Sequence, residues 1–338
     1  MIGKWIDCLY GQSGTAKSES AAAIITRIYN ETGKTARVMV GDGSGATYEG
    51  LVAAGVVELM DYTIRDWPQS TLSQLCQGFW PQDPLDPNSK LVPMTPEKFA
   101  KIGINVIEGL SVGANYLMGD KKGAFAYRAA RGEKIGQDSP IMVKDIERNA
   151  AGQEIAGSGP GGVFGGNPLS HFGVAQKRML GFVEQSKALP GWVIWTAHER
   201  SAEDKISGAK LIGPEVAGGA LTAVVSRVFN NTLHFATAEK TVKVKDEHTE
   251  KQVDVIDSEY RIYTRDHFRA EGNSFVKYKA VCRTPFPKGW TEGSKVDVGA
   301  MPLYFTSDVP GQSINDFYDN IVAAREHQAE SLRKPEAA

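Results

Sequence analysis

Cysteine is scarce in this chain of 338 residues: Cys8, Cys76 and Cys282 are few, far apart and outside any C-x-x-C spacing. An odd, scattered set gives no disulfide framework and no thiolate zinc site, and it fits a reducing compartment. Long apolar runs are also missing. No stretch approaches the roughly 18 apolar residues of a membrane-spanning helix. The amino-terminal MIGKWIDCLYG has neither a long apolar centre nor a cleavage-type segment. Neither sign of charge dominates, with 38 basic against 40 acidic residues and a net charge of −2. That balance argues against a protein held to nucleic acid by bulk electrostatics, while a local basic groove stays open. The expectation is a soluble cytoplasmic protein with no membrane partner. Its 41% apolar content can build one large α/β domain with an appendage, or two modest domains.

What is present begins with an alternation. KWIDCLYG reads as a strand, and KSESAAAIITRIYNETG places Ala21, Ile24, Ile25 and Ile28 at helical spacing before Gly33. TARVMVGDGSG reads as a buried strand, TYEGLVAAG as a short helix and VVELMDYT as a third strand. Strands alternating with helices predict a parallel sheet. Five prolines between 79 and 96 make that stretch a connection, and Pro96 can open the helix PEKFAKIG. INVIEGLS is a short buried strand closing on a carboxylate. Residues 119–168 carry 11 glycines and no sustained period, which reads as a mobile insertion. LSHFGVAQKRMLGFVEQSKALP returns to helix and GWVIWTAHER to strand. NTLHFAT, EYRIYTR and FVKYKAVCR then extend the sheet as β-rich structure, before a final helix and a polar tail.

Between the first strand and the first helix lies GQSGTAKS, residues Gly11, Gln12, Ser13, Gly14, Thr15, Ala16, Lys17 and Ser18. The pattern G-x-x-x-x-G-K-[ST] cradles phosphates because small residues let successive backbone N–H groups point inward. Its lysine reaches the terminal phosphates and its hydroxyl binds magnesium. Here alanine replaces the second glycine, and the extra methyl is tolerated if Ala16 keeps a negative φ. A second carboxylate normally holds the magnesium through water from the end of a neighbouring strand, and Glu108 is in that place. VIWTAHE ends a buried strand in Thr196, His198 and Glu199. Thr196 or His198 is placed to sense a γ-phosphate at the crevice of an α/β sheet.

In this order, GQSGTAKS, ARVMVGD, INVIEGLS, VIWTAHE and KLIGPEVAGGALTAVVSRVFNNTLHF resemble the RecA-like branch of P-loop ATPases, and within it the phage-encoded nucleotide-binding ATPases. The likeness runs over about residues 4–285. It implies an α/β fold with a mainly parallel twisted sheet flanked by helices and a β-rich extension. The core would span 1–290, with a carboxyl-terminal extension over 291–338. It further implies ATP and Mg²⁺ as ligands, single-stranded DNA as a partner and assembly into a homo-oligomer. There a basic residue, Lys279 or Arg283, would complete the neighbour's site. Such enzymes place a water-activating glutamate after the strand represented by VMVGDGSG; this chain has Ser44 there, with Asp42 two residues earlier as the substitute base. The implied activity is an Mg-dependent ATPase in DNA recombination, replication or repair, with Lys17, Asp42, Glu108 and His198 at its centre. The alternative is a virion structural or assembly protein that retains the nucleotide fold with weak turnover or none.

Overall fold

A computed structural model of the chain describes residues 5–41, 43–65, 67–83, 86, 88–119, 169–203, 210–216, 222, 225–245, 252–271, 274–283, 291–292, 295–296 and 303–333. The glycine-rich segment, from residue 120 onward, and Asp42 lie outside them.

The chain opens with β1 (Trp5–Gly11), α1 (Lys17–Thr32) and β2 (Thr35–Val40). A 3₁₀ turn (Ser44–Tyr48) and α2 (Glu49–Ala53) lead to β3 (Val57–Asp61). Next come α3 (Pro68–Cys76), the small hairpin of β4 (Phe79–Pro81) and β5 (Leu91–Pro93), α4 (Pro96–Lys101), β6 (Ile102–Ile107) and α5 (Leu110–Gly119). After α6 (Leu169–Ser186), β7 (Trp192–Ala197), β8 (Glu199–Glu203) and β9 (Lys210–Pro214), the β-rich part follows. It comprises β10 (Asn231–Lys245), β11 (Gln252–Tyr263), β12 (Arg265–Glu271), β13 (Ser274–Cys282), the two-residue strands β14 (Thr291–Glu292) and β15 (Lys295–Val296), and β16 (Tyr304–Ser307). Helix α7 (Ser313–Arg333) closes the described chain.

Twelve strands form one mixed sheet with the order β3-β2-β6-β7-β1-β10-β13-β9-β8, and β11, β12 and β16 attach to β10, β13 and β11. The run from β3 to β10 is parallel throughout. The parallel α/β expectation therefore holds. β1 does not pair with β2: β6 and β7 lie between them. This order brings the carboxyl ends of β6 and β7 to the space beside the loop that follows β1.

Helices cover both faces. On one side Ile24, Ile25 and Ile28 of α1 and Ile314, Phe317 and Ile321 of α7 pack on Leu9, Val38, Val106 and Ile194. On the other, Leu72 and Leu75 of α3, Leu110 and Leu117 of α5 and Met179 and Val183 of α6 pack on Cys8, Met39, Ile107 and Trp195. Each large side chain fully removed from water contributes about 1.5–3 kcal/mol. This two-sided burial is why the central strands read as continuous apolar runs. The apolar periodicity of α1 ends at Gly33, whose φ of 69° suits glycine and whose N–H reaches the Tyr29 carbonyl at 2.7 Å. Pro96 does open α4, capped by Thr95. The carboxyl-terminal segment joins the core directly: Arg27 of α1 pairs with Asp319 and lies 4.8 Å over the Tyr318 ring.

Candidate nucleotide site

The loop after β1 is fixed by its own polar groups. Gln12 O accepts from Lys17 Nζ at 2.7 Å and from Thr15 Oγ1 at 2.8 Å, and Gly11 O accepts from Lys17 Nζ at 3.1 Å. The ammonium is thus turned back onto the carbonyls of the loop that precedes it. Lys17 is only 9% exposed, so those carbonyls take the place of water around a charge that would otherwise be costly to bury. Gln12, Ser13 and Gly14 are exposed, and Ser18 is half-buried in the first turn of α1. The amino end of a 16-residue helix faces the same loop, which favours an anion there.

Ala16 does not keep a negative φ. It adopts φ 64° and ψ 31°, the only left-handed non-glycine conformation among the described residues. The chain leaves the loop with Ala16 O accepting from Ser20 N at 3.0 Å. Starting α1 there fixes the turn that the missing glycine would have adopted freely. For alanine the left-handed conformation costs about 1–2 kcal/mol. Ala16→Gly is therefore expected to raise stability by about 1 kcal/mol, after the entropy that glycine adds to the unfolded chain. Urea denaturation of the two proteins measures it, and a less stable variant would contradict the left-handed geometry.

Glu108 follows β6 and is 1% exposed. One carboxylate oxygen accepts from the hydroxyl of Tyr48, the other from Thr196 Oγ1 at 2.5 Å. The Gly109 N–H donates to Thr196 Oγ1 at 3.1 Å, which ties the end of β7 to the end of β6. Thr196 therefore meets the carboxylate of the neighbouring strand end, a contact that the sequence did not announce. His198 does not: its N–H donates to Ser111 Oγ at 3.0 Å and its carbonyl accepts from Glu215 N at 2.7 Å, while its half-buried ring makes no hydrogen bond to the described residues. Tyr48 was silent in the sequence, since an aromatic in a short helical stretch carries no sign of where its hydroxyl points. The substitute base Asp42 is outside the described residues, and Ser44, in the glutamate's place, begins the 3₁₀ turn.

Lys279 and Arg283 both engage their own chain. Lys279 lies 3.4 Å from Asp266, and its carbonyl accepts from the Tyr10 hydroxyl. Arg283 donates to the carbonyls of Ser226 and Arg227 at 3.2 Å, near the amino end of β10 and so at the sheet edge opposite the loop.

Beside the loop, sequence reasoning assigned no role to a third group. Glu199 Oε1 accepts from Gln12 Nε2 at 2.7 Å, and its Oε2 lies 3.4 Å from His234 Nε2. His234 Nδ1 lies 3.3 Å from His267 Nε2. Tyr10, Tyr263 and Tyr278 surround the His234 ring at 4.9, 5.8 and 4.8 Å between centroids. Burial pushes Glu199 up, but hydrogen bonds from His234 and Gln12 outweigh it and leave the carboxyl below its usual range. Burial lowers His234 against the pull of Glu199. It lowers His267 to about 4, with His234 adding to the effect.

At neutral pH the His267 ring is therefore uncharged, and between about pH 6.5 and 4 the unfolded chain binds a proton that the folded one refuses. Stability then rises with pH across that window and is lost as pH falls through it. The titratable and charged groups facing His267 are His234, Asp266 and Arg269. Urea denaturation at stepped pH is expected to show wild type losing up to about 1.4 kcal/mol more per pH unit near pH 5 than His267→Asn. Parallel curves would contradict a neutral His267.

Oxygen donors are what magnesium prefers, and Ser18 with Glu108 supplies a hydroxyl and a carboxylate. Among the described residues no group of three or more His, Cys, Asp or Glu side chains gathers. A P-loop magnesium is held mainly by phosphate and water, with the strand-end carboxylate reaching it through water, so a hydroxyl and a carboxylate are donors of the right chemistry. No described helix is long and apolar enough to cross a membrane. Comparison with known protein families and with curated proteins finds no match.

Proposed function

We propose that this chain binds Mg-ATP and hydrolyses it as a RecA-like P-loop ATPase, acting on DNA in phage recombination, replication or repair. The observation that carries the reading is the joint placement of three parts at one sheet edge. An eight-residue motif, Gly11–Ser18, runs from the end of β1 into the first turn of α1 with its lysine folded back, and Glu108 and Thr196 lie at the ends of the two strands inserted between β1 and β2. Lys17 and the loop amides would hold phosphate charge, and Ser18 and Glu108 would hold magnesium, which stabilises charge on the transferring phosphoryl group. Thr196 orients the Glu108 carboxylate from the adjacent strand.

For a single-stranded DNA partner the support lies beyond β3. A cavity of about 440 Å³ is lined by Arg65, Trp67, Lys90 and Gln74, with Trp67 63% and neighbouring Ile64 59% exposed. An accessible indole beside two cations is suited to base stacking and phosphate contact.

The test is steady-state ATP turnover by the full chain in magnesium, with and without single-stranded DNA, beside equilibrium binding of a fluorescent ATP analogue. Saturable, magnesium-dependent binding and turnover raised severalfold by DNA are expected. Failure to bind nucleotide would sink the reading. Binding with a rate indifferent to DNA would replace the DNA role by nucleotide-stabilised assembly, with the chain as a homo-oligomer or virion component.

A further inference from the structure

The described site holds a carboxylate at the strand end, Glu108, whose two oxygens both serve neighbouring hydroxyls. A second carboxylate stands on the other flank of the loop with a built support behind it. The Glu199 side chain is 16% exposed and that of His234 is 1% exposed. Because an ionised carboxylate only accepts, His234 must carry its proton on Nε2 to bond Glu199. Its Nδ1 is then bare and lies 3.3 Å from His267 Nε2, and the His267 and tyrosine rings around His234 hold it in place. On the loop side, Gln12 donates its amide to Glu199 while its carbonyl takes the Lys17 ammonium at 2.7 Å. One residue therefore links this carboxylate to the cation that would meet the terminal phosphate. A carboxylate offers about four acceptor positions and two are used, which leaves capacity for a water O–H.

We propose that Glu199 orients and deprotonates the attacking water in ATP hydrolysis, filling the role that Ser44 leaves open, and that His234 is its positioning residue. This rests on the nucleotide reading above. In the step, the water oxygen bonds to the γ-phosphorus as the bond from that phosphorus to the β,γ-bridging oxygen breaks. ADP leaves with the electron pair of the broken bond, and the water proton passes to the Glu199 carboxylate and then to solvent. The products are ADP, inorganic phosphate and one proton. His234 keeps its single proton throughout and holds the carboxylate against the loop.

A mere tether between the loop and β10 would work with an amide in place of the carboxylate, because the glutamine oxygen can keep the His234 N–H while the Gln12 amide turns over and accepts from the new NH₂. A base would not. In the full chain, Glu199→Gln is expected to bind a fluorescent ATP analogue within about threefold of wild type and to lose at least about 100-fold in kcat, a loss typical of removing a general base. His234→Gln, which keeps an N–H near the position of Nε2, is expected to lower kcat about tenfold with KM unchanged. Turnover of Glu199→Gln within threefold of wild type would overturn the proposal, as would a raised KM with unchanged kcat. A wild-type chain that binds ATP without hydrolysing it would also overturn it and leave only the nucleotide-binding part of that reading standing. A wild-type chain that binds no ATP would overturn that reading itself.

Discussion

Lys17→Ala is expected to weaken Mg-ATP binding by about 100- to 1,000-fold while leaving the chain folded. The ammonium now rests on the Gly11 and Gln12 carbonyls, at 3.1 and 2.7 Å. When a triphosphate enters, the same ammonium can exchange those neutral acceptors for charged phosphate oxygens. Charge-assisted hydrogen bonds are roughly twice as strong as neutral ones, so the exchange favours the bound state. Losing about 3–4 kcal/mol of such contact corresponds to the stated drop in affinity. The folded state loses less, about 1–2 kcal/mol: the part-buried Gln12 carbonyl keeps the bond from Thr15 Oγ1, and the buried Gly11 carbonyl loses only a 3.1 Å contact. Titration of a fluorescent ATP analogue, with a thermal melt of each protein, separates the two effects. An affinity equal to wild type in a folded variant would remove the loop from the nucleotide site.

The loop and its strand and helix were legible because their signals are local. Glycine spacing, an apolar run before it and helical periodicity after it all fall within about thirty residues, and β1 and α1 lie where those signals put them. Glu108 and Thr196 were legible for a related reason. Each closes a buried strand, and in a parallel sheet the carboxyl ends of strands share one edge. Which of Thr196 and His198 meets Glu108 was less so. Thr196 and His198 are two residues apart and neither periodicity nor chemistry ranks them; the backbone bonds to Ser111 and Glu215 decide where His198 sits.

What the sequence hid depends on long-range pairing. Tyr48 reaches Glu108 across 60 positions, Glu199 reaches Gln12 across 187, and His234 reaches His267 across 33. No local pattern encodes such contacts: Tyr48 meets Glu108 only once β2 pairs with β6, and Glu199 meets His234 beside the loop only once β10 pairs with β1 and places His234 opposite Tyr10. Ala16 was misjudged for the opposite reason. The substitution itself was visible, but its conformation is set by the loop closing on Lys17 and by α1 starting directly after it, and those constraints override alanine's preference for negative φ.

The same closure makes Gly11 intolerant of any side chain. Gly11→Ala is expected to lower stability by about 3 kcal/mol and to reduce Mg-ATP affinity by about 100-fold. Gly11 ends β1 directly opposite Phe235 of β10, and an added Cβ would fall well inside 3.0 Å of the Phe235 carbonyl oxygen, and at 2.9 Å from Thr15 Oγ1. Thr15 can rotate away, at the loss of its bond to Gln12 O. The Phe235 carbonyl is main chain in a paired strand and can retreat only if β10 moves relative to β1. Overpacking of that kind costs about 1–3 kcal/mol and occasionally more. Displacing the first residue of the loop also moves the carbonyl that holds Lys17, and misplacement by about 1 Å at a phosphate-binding group can cost 100-fold. Gly14→Ala supplies the contrast. Gly14 has φ 78° with open space around it, so alanine there meets only the left-handed penalty of about 1–2 kcal/mol that Ala16 already bears. Thermal melts and analogue titrations of the two variants should therefore diverge, with Gly11→Ala the worse in both. Equal effects would mean that backbone conformation alone, and not the approach of β10, sets the glycine requirement at the mouth of the loop.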